Sequence, residues 1–457
     1  MHTDKTIAAV STAYGRGGVA LIRISGKEAF AVASSLFTPK KIPFDKITPR
    51  RAVFGDICHQ GRIIDSGLLT LFPASSSYTG EDTAEVSCHG GMLLTSLVLE
   101  AALDGGAVLA DKGEFTFRAL MNGRLSLSQA EAIPDLIDAQ SVDKLRLSAD
   151  NAGGAMEKRL ADLRQRLTAV ISSTYAFIDY PDEDLTELSV PDMTAILEEL
   201  KQQTASLADS YRTGRAVCEG IKCTIAGRPN TGKSSLLNLL CGEEKAIVTD
   251  EAGTTRDVLE ETVPLGRVLL RIRDTAGIRE SDNRIEQAGI ARAMDKIADA
   301  SLVFFVLDAS SPLTEEDERL ASLLVTQGKE VIAVLNKSDL PGRIDKDRIR
   351  ALFPRTVETA AKNGRGKEEL AACVDELYNT AILDDGGEIV STARLCAALR
   401  QASEDIAQAI SALKEGFTQD IAALSLENAL ASLTDSTLRE TADDIIQDIF
   451  SRFCIGK

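Results

Sequence analysis

The chain has no tryptophan, only three histidines (His2, His59 and His89) and an aromatic share of 4%. A core so short of rings must be largely aliphatic, which leans towards helix, because aromatics are enriched in strands. None of the eight cysteines (Cys58, Cys88, Cys218, Cys223, Cys241, Cys373, Cys396, Cys454) forms a CxxC pair. The nearest Cys/His groupings, Cys58-His59 and Cys88-His89, are single adjacent pairs without zinc spacing. Scattered thiols of this kind read as reduced, packed side chains of a cytosolic protein. No run approaches the ~18 apolar residues of a membrane span, and the polar start Met1-His-Thr-Asp-Lys5 lacks a signal-peptide layout, so the expected location is cytoplasmic, without a membrane. Positive charge is also in deficit. With 51 Lys+Arg against 69 Asp+Glu the net charge is −18, which excludes a broad electrostatic binder of nucleic acid. Any RNA must meet a local basic patch, or a basic partner must help.

What is present is ordinary for a globular protein: 457 residues, 44% hydrophobic and 26% charged. That length corresponds to about three domains. Residues 1–118 alternate short apolar runs (Val19–Ile24, Gly67–Phe72, Ala84–Cys88) with Gly and Pro, and a helix is expected over Leu93–Leu103, which together read as a small α/β domain. From about 120 the texture turns helical: Leu160, Leu163, Leu167, Val170 and Ile171 share one helix face. The same texture returns after about 390, with Ile406, Ile410, Leu413 and Phe417, then Ile446, Phe450 and Phe453. Between about 216 and 380, strands at Ile221–Ala226, Val268–Ile272, Leu302–Leu307 and Val331–Leu335 alternate with helical stretches, the pattern of a parallel sheet. The expected architecture is multidomain, α/β plus all-α. An N-terminal α/β domain (1–118) precedes a discontinuous helical domain (119–215 and 381–457), into which a mainly parallel, Ras-like P-loop domain (216–380) is inserted.

Gly227-Arg-Pro-Asn-Thr-Gly-Lys-Ser234 fits G-x-x-x-x-G-K-[ST], directly after a strand and before the helical run Ser235–Leu240. In this layout backbone N–H groups wrap phosphates, Lys233 reaches the β/γ oxygens and the Ser234 hydroxyl meets Mg²⁺. Three motifs follow in order. Gly253-Thr-Thr-Arg-Asp257 offers a Thr hydroxyl to Mg²⁺, and Asp274-Thr-Ala-Gly277 an acid near the metal and a glycine N–H for the γ-phosphate. Asn336-Lys-Ser-Asp339 offers a carboxylate that accepts both N1–H and the 2-amino group of guanine, a donor pair adenine lacks. Ala360-Ala-Lys362 stands where a guanine loop usually reads Ser-Ala-Lys. Together they specify a GTPase. Ile278 occupies the position where Ras-type enzymes orient water with Gln, so catalysis must come from elsewhere. Glu286 is the nearest candidate, a solvated helix-face acid being the competing reading.

These motifs, with Asp4-Lys-Thr-Ile-Ala-Ala-Val10, Gly15-Arg-Gly-Gly18, Arg23-Ile-Ser-Gly26, Ser77-Tyr-Thr-Gly-Glu-Asp82, His89-Gly-Gly91, Gly113-Glu-Phe-Thr116, Asn122-Gly-Arg124, Gln129-Ala-Glu-Ala132 and the end Phe453-Cys-Ile-Gly-Lys457, resemble the MnmE (TrmE) family of tRNA-modification GTPases over nearly the whole chain. The resemblance implies a GTP hydrolase activated by K⁺. With an FAD-binding MnmG-like partner, it would add a carboxymethylaminomethyl-type group to carbon 5 of the tRNA wobble uridine, using a one-carbon unit of 5-formyl- or methylene-tetrahydrofolate. FAD would enter only through the partner. It further implies a homodimer through the N-terminal domain, K⁺-dependent G-domain dimerisation and a heterotetramer with the partner.

By motif, GTP binding falls to Asn230, Thr231, Gly232, Lys233, Ser234 and Ser235; to Thr249, Asp250, Glu251, Ala252, Gly253, Thr254 and Thr255; to Asp274, Thr275, Ala276 and Gly277; to Asn336, Lys337, Ser338 and Asp339; and to Ala360, Ala361 and Lys362. Mg²⁺ falls to Ser234 and Thr255, and K⁺ to Asn230, Thr249, Glu251 and Thr254. Glu286 matches the family's water-activating acid. Folate binding falls to Arg23, Glu81, Arg124 and Lys457. A pterin has guanine-like donors that suit Glu81, and an acidic tail suits Arg23 or Arg124, while a turn acid and surface arginines are the bland readings. Cys454 is either a reactive thiol or a packed core thiol. Residues 401–457 carry 4 Lys+Arg and 10 Asp+Glu, a net of −6, which suits steering of a basic partner surface through Asp443, Asp444 and Asp448, or simply a solvated face. The competing class is a regulatory GTPase of the ribosome-assembly type, which would need neither Glu81 nor Cys454.

Overall fold

The computed structural model describes residues 4–179, 189–242, 260–273, 297–384, 388–415, 419–434 and positions 450, 453 and 456. The chain divides into two compact units, one of residues Met1–Asp138, Ala149–Met193 and Gln408–Lys457, the other of Ala139–Ser148 and Thr194–Ala407.

The first unit is built on a sheet of β1 (Ile7–Val10), β2 (Val19–Ser25), β3 (Phe37–Pro39), β4 (Val53–His59), β5 (Arg62–Phe72), β6 (Thr83–His89) and β7 (Val108–Leu109), in the order β3-β4-β5-β6-β2-β1-β7. All neighbours are antiparallel except β1 and β7. Inward-pointing Ile22, Ile24, Ile57, Leu69 and Val86 pack against helices α1 (Ala29–Leu36) and α2 (Met92–Asp104), giving one aliphatic core. Helices α3 (Glu114–Met121) and α4 (Leu127–Ile137) follow, and a Ser126–Gln129 capping box fixes the start of α4. Phe450 and Phe453 pack beside Phe117, Leu120 and Leu127, with rings of Phe117 and Phe450 edge to face at 5.6 Å. The Gly456 carbonyl accepts a 3.0 Å hydrogen bond from the Ser11 hydroxyl. After α5 (Val142–Ala152), α6 (Ala155–Asp179) presents Leu160, Leu163, Leu167, Val170 and Ile171, all buried as their spacing requires.

The second unit holds β8 (Ile221–Ala226), β9 (Glu260–Leu265), β10 (Val268–Arg273), β11 (Leu302–Asp308), β12 (Glu330–Asn336) and β13 (Thr356–Glu358), in the order β13-β12-β11-β8-β10-β9. Only β9 runs antiparallel. The strands read as continuous hydrophobic runs because both faces are covered: Phe304 and Val306 point to one core, Phe305 and Leu307 to the other. α7 (Val190–Cys218) leads into β8, and α8 (Lys233–Cys241) follows it. Later helices are α9 (Glu315–Thr326), α10 (Lys346–Leu352), α11 (Lys367–Leu377) and α12 (Ala393–Glu415). α13 (Gln419–Leu433) returns to the first unit, where its Leu433 carbonyl takes a 3.0 Å bond from Arg164 of α6. Sheets of both kinds plus many helices match the expected class. The cysteines among the described residues are all free thiols, with Cys88, Cys218, Cys223 and Cys396 buried. Among the described residues no helix is long and apolar enough to cross a membrane.

One glycine shows why the helical segments have the sequences they do. Gly214 lies within α7, yet a Cβ there would stand 2.0 Å from the Val390 carbonyl. Gly→Ala inside a helix normally stabilises by roughly 0.8–1 kcal/mol. Here the carbonyl belongs to backbone and cannot yield cheaply, so the sign reverses. Gly214→Ala should destabilise by about 1–3 kcal/mol, the range of an overpacked interior, and thermal unfolding followed by circular dichroism measures it.

Candidate functional site

The turn from β8 to α8 carries Gly227–Ser234. Helix α8 starts at Lys233 with Gly232 as its N-cap and no side-chain capping bond, and the N-terminus of a helix favours an anion through its dipole. Gly232 has φ +97°, and a Cβ there would meet the Asn336 amide nitrogen at 2.1 Å; conformation and space both demand glycine. Asn230 is left-handed too, at φ 64°. The Lys233 ammonium donates to the carbonyls of Gly227 and Arg228, each at 2.8 Å, so it lies along the inner edge of the loop. Burial pushes the Lys233 ammonium below the usual lysine range, against the opposing pull of Glu316. Ser234 is exposed on the first turn of α8.

The loops expected to recognise the base converge on the same turn. Asn336, 2% exposed at the end of β12, donates from Nδ2 to the Thr231 carbonyl (2.9 Å). Its Oδ1 accepts from the Thr359 hydroxyl (3.1 Å) and the Ala361 N–H (3.1 Å). One amide thus joins the phosphate loop, the Asn336–Asp339 loop and the Ala360–Lys362 loop. Ser338 N–H donates to the Thr359 carbonyl at 3.0 Å, which closes the frame. Lys337, left-handed at φ 61°, donates to the Asn230 carbonyl (2.8 Å) and to Asp308 (2.6 Å). Asp339 is exposed, with one carboxylate oxygen taking a 3.1 Å bond from Asn363. Sequence reasoning found every member of this frame except Thr359, Asp308 and Asn363, which belong to no motif. The donor set suits a magnesium nucleotide: an ammonium and a helix N-terminus for phosphate, a hydroxyl at Ser234 for the metal, and a carboxylate at the base end. Thr249, Asp250, Glu251, Ala252, Gly253, Thr254, Thr255, Asp274, Thr275, Ala276, Gly277 and Glu286 lie outside the described residues.

The other expected site is a polar cluster in the first unit. Glu81 Oε2 accepts from Arg118 (2.8 Å) and from the Ser25 hydroxyl (3.1 Å). Arg118, 3% exposed, also donates to Glu114 (3.0 Å) and to the Lys5 carbonyl (2.8 Å), and Glu114 is fully buried. Both bonds to Glu81 end on a single oxygen and its side chain keeps 23% exposure, so the carboxylate has capacity to accept a ring edge from outside. Arg23 is engaged with Glu85 at 2.9 Å, and its guanidinium lies 5.8 Å and 5.6 Å from the ring centres of Tyr78 and Phe115. Arg124 donates to the Ala74 carbonyl at 2.5 Å. Arg23, on β2, Glu81, just before β6, and Arg124, between α3 and α4, are each already tied. Asn122 donates to the Thr79 carbonyl at 2.7 Å, which holds the Glu81 loop. Arg118 is the member sequence reasoning missed. Its signal was available: Glu114 and Arg118 are i,i+4 on the buried side of α3. Cys454 and Lys457, like Asp443, Asp444 and Asp448, lie outside the described residues; Phe453 and Gly456, which bracket Cys454, are buried.

Comparison with known proteins adds the context of the whole chain. Residues 6–124 match the family model described as "GTP-binding protein TrmE N-terminus". Residues 127–454 match that described as "MnmE helical domain". The "tRNA modification GTPase MnmE" of Clostridioides difficile (strain 630) is 36% identical, and the alignment covers 100% of each chain. The proteins so named from Thermoanaerobacter sp. (strain X514) and Geobacter sulfurreducens are each 37% identical, covering 99% and 100% of both chains respectively.

Removing the amide that joins the three loops tests the frame directly. Asn336→Ala leaves a carbonyl, a hydroxyl and an N–H unpaired in the interior, at about 1–3 kcal/mol each. Binding of a fluorescent guanine nucleotide should fall by at least about tenfold, the equivalent of one such group. Retention of parent affinity by equilibrium titration would show that the three loops hold their places without it.

Proposed function

The chain belongs to the MnmE family of tRNA modification GTPases, and on that footing we propose that it hydrolyses GTP at the β8–α8 site to drive modification of the tRNA wobble uridine at carbon 5. The observation that carries the reading is that one buried amide, Asn336, ties the loop bearing Lys233 to the loops bearing Asp339 and Ala361, which suits a frame with a phosphate end and a base end. Lys233 and the first N–H groups of α8 hold the β and γ phosphates; Asp339 accepts from guanine and rejects adenine, which would leave it unpaired. Ser234 and Thr255 would hold Mg²⁺, and Asn230, Thr249, Glu251 and Thr254 would hold K⁺; both ions would supply positive charge beside the phosphates. Ile278 has no polar atom with which to orient water. In this reading Glu286 orients the attacking water and takes its proton, while Gly277 donates from its backbone to the γ-phosphate.

Residues 1–118 form the folate-binding and dimerisation domain, 119–215 and 381–457 the helical domain, and 216–380 the G domain. Glu81, Arg23, Arg124 and Lys457 take a 5-formyl- or methylene-tetrahydrofolate, with Arg118 holding Glu81 in place. Arg23 would exchange its Glu85 partner for a folate carboxylate, a swap between like charges. An FAD-binding MnmG-like protein supplies the flavin, and the acidic segment 401–457 steers its basic surface. The acidic net charge makes tRNA binding depend on that partner or on a local basic patch. Cys454, next to buried Phe453, serves as an acid or nucleophile at the folate site, in a cytoplasmic homodimer whose G domains pair when K⁺ is present.

Two measurements test the enzyme. Asp339→Asn should weaken GTP binding and favour xanthosine triphosphate, because the amide donates to the extra carbonyl; equal binding of GTP and ATP by the parent chain would sink the assignment. Hydrolysis should run faster in KCl than in NaCl at equal ionic strength. Glu286→Ala should lower kcat by about 10²–10⁴-fold, the usual worth of a general base, with little change in GTP affinity. An unchanged rate for Glu286→Ala in KCl would remove Glu286 from the mechanism.

A further inference from the structure

The connection from β11 to α9 carries no nucleotide motif, yet two nucleotide loops are fastened to it. At its start, Asp308 accepts from Lys337 (2.6 Å) and from the N–H and hydroxyl of Ser310 (2.9 and 2.6 Å). At its end, Asp317 Oδ2 accepts from Arg228 Nε (3.1 Å), and from the N–H (3.1 Å) and hydroxyl (2.8 Å) of Thr314. Between them, the Ser311 hydroxyl accepts from the Arg228 guanidinium at 2.6 Å. We propose that Asp308 and Asp317 are positioning residues for guanine nucleotide: Asp308 sets Lys337 across the phosphate loop, and Asp317 sets Arg228 within it. The inference rests on the nucleotide-site reading above and extends it to residues outside the motifs.

Arg228 is the second residue of the phosphate loop, and its own carbonyl accepts from Lys233 Nζ (2.8 Å) and from the Thr231 hydroxyl (3.1 Å). Where the Arg228 peptide points therefore decides where the phosphate-binding ammonium lies. The side chain that fixes this peptide runs the other way, to a carboxylate only 3% exposed. Three donors converge on Asp317 Oδ2, whereas Oδ1 has no hydrogen-bond partner. A buried carboxylate with half its capacity unused is costly. Among its hydrogen-bond donors only Arg228 carries a full positive charge, so the pairing of these two is strongly favoured. Lys337 stands in the same relation to Asp308. Burial acts to raise the Asp308 carboxyl, and the bonds from Lys337 and Ser310 outweigh it and hold it below the usual range. Asn230 and Lys337 are both non-glycine residues in the left-handed region, a conformation that persists only when its surroundings enforce it. The Lys337 ammonium links the two, and Asp308 anchors that ammonium. The register of β11 and β12, with Asp308 opposite Asn336, places the anchor beside the amide frame.

Stopped-flow binding of mant-GDP and mant-GTP to the full chain tests the inference, with Asp308→Asn, Asp317→Asn and, as a control on the exposed side of α9, Glu315→Gln. Each Asp→Asn change removes a charged hydrogen bond, so affinity for both nucleotides should fall by about ten- to hundredfold through faster release. A positioning role predicts a raised KM with kcat at saturating GTP within about twofold of the parent, a split that general unfolding would not give. The double variant Arg228→Gln/Asp317→Asn should be no weaker than the worse single one, because the two act through each other. Parent affinity in both Asp→Asn variants overturns the proposal, and additive losses in the double variant overturn the Arg228 link. If thermal melting shows that Asp317→Asn does not fold, Ser311→Ala removes the second acceptor of Arg228 together with a long 3.4 Å bond to the Asp308 carbonyl: about threefold weaker binding, less than a charged bond is worth, supports the link, and parent affinity refutes it. A parent chain that binds neither nucleotide would instead refute the GTPase reading itself.

Discussion

The second unit depends on the placement of one uncharged side chain. Asn336 ends a strand that is hydrogen-bonded to a neighbour on each side, so its backbone position is fixed by the sheet, and its amide is buried. In the interior an amide must satisfy donor and acceptor alike. The partners it finds are the carbonyl of Thr231 and the hydroxyl and N–H of the loop beyond β13, so the need to satisfy a buried polar group is what brings three separate stretches of chain to one point. Parallel strands make this possible. Their carboxyl ends line up on one edge of the sheet, and the loops that follow β8, β11, β12 and β13 all emerge there.

The polar cluster of the first unit solves a different problem with charge. Glu114 is fully buried and Glu81 is partly so, and two carboxylates at such short range would repel without a cation between them. Arg118 supplies it, and its planar fork lets one guanidinium reach both acids and a backbone carbonyl together. Phe450 and Phe453 pack beside the helix that bears Arg118, where Phe117 offers a ring to Phe450. Gly113, just before the helix, leaves room: a Cβ there would come within 2.7 Å of the Phe450 ring. A glycine, a phenylalanine and an arginine within six positions thus connect the polar cluster to residues more than three hundred positions away.

Much of this was legible in the residues. Period-two and continuous apolar runs placed the strands Ile221–Ala226 and Leu302–Leu307 to within a residue of their observed ends, and the 3.6-residue spacing of Leu160 to Ile171 marked a face that is indeed buried. The phosphate and guanine loops were readable because nucleotide chemistry imposes short, local patterns: glycines where backbone must approach phosphate, and a carboxylate after a strand. Asp308, Asp317 and Thr359 were not readable. Each is an ordinary residue for a strand end, a helix cap or a loop, and local patterning gives it no further meaning; Arg118 had only its i,i+4 spacing from Glu114 to mark it. The arginines at 23 and 124 were recognised as cations, but their observed partners, Glu85 and the Ala74 carbonyl, lie 62 and 50 positions away in the chain.

The sequence by itself determined the kind of chemistry, the class of fold and the face that each element buries, because helix and strand periods and phosphate loops are written in neighbouring residues. Only the tertiary structure decided which charges meet. Lys337 with Asp308, Arg228 with Asp317 and Glu81 with Arg118 are separated by 29, 89 and 37 residues, and their pairing follows from strand order and loop closure. An ionic side chain has no preferred partner in an extended chain; it acquires one when folding removes water and brings an opposite charge within reach.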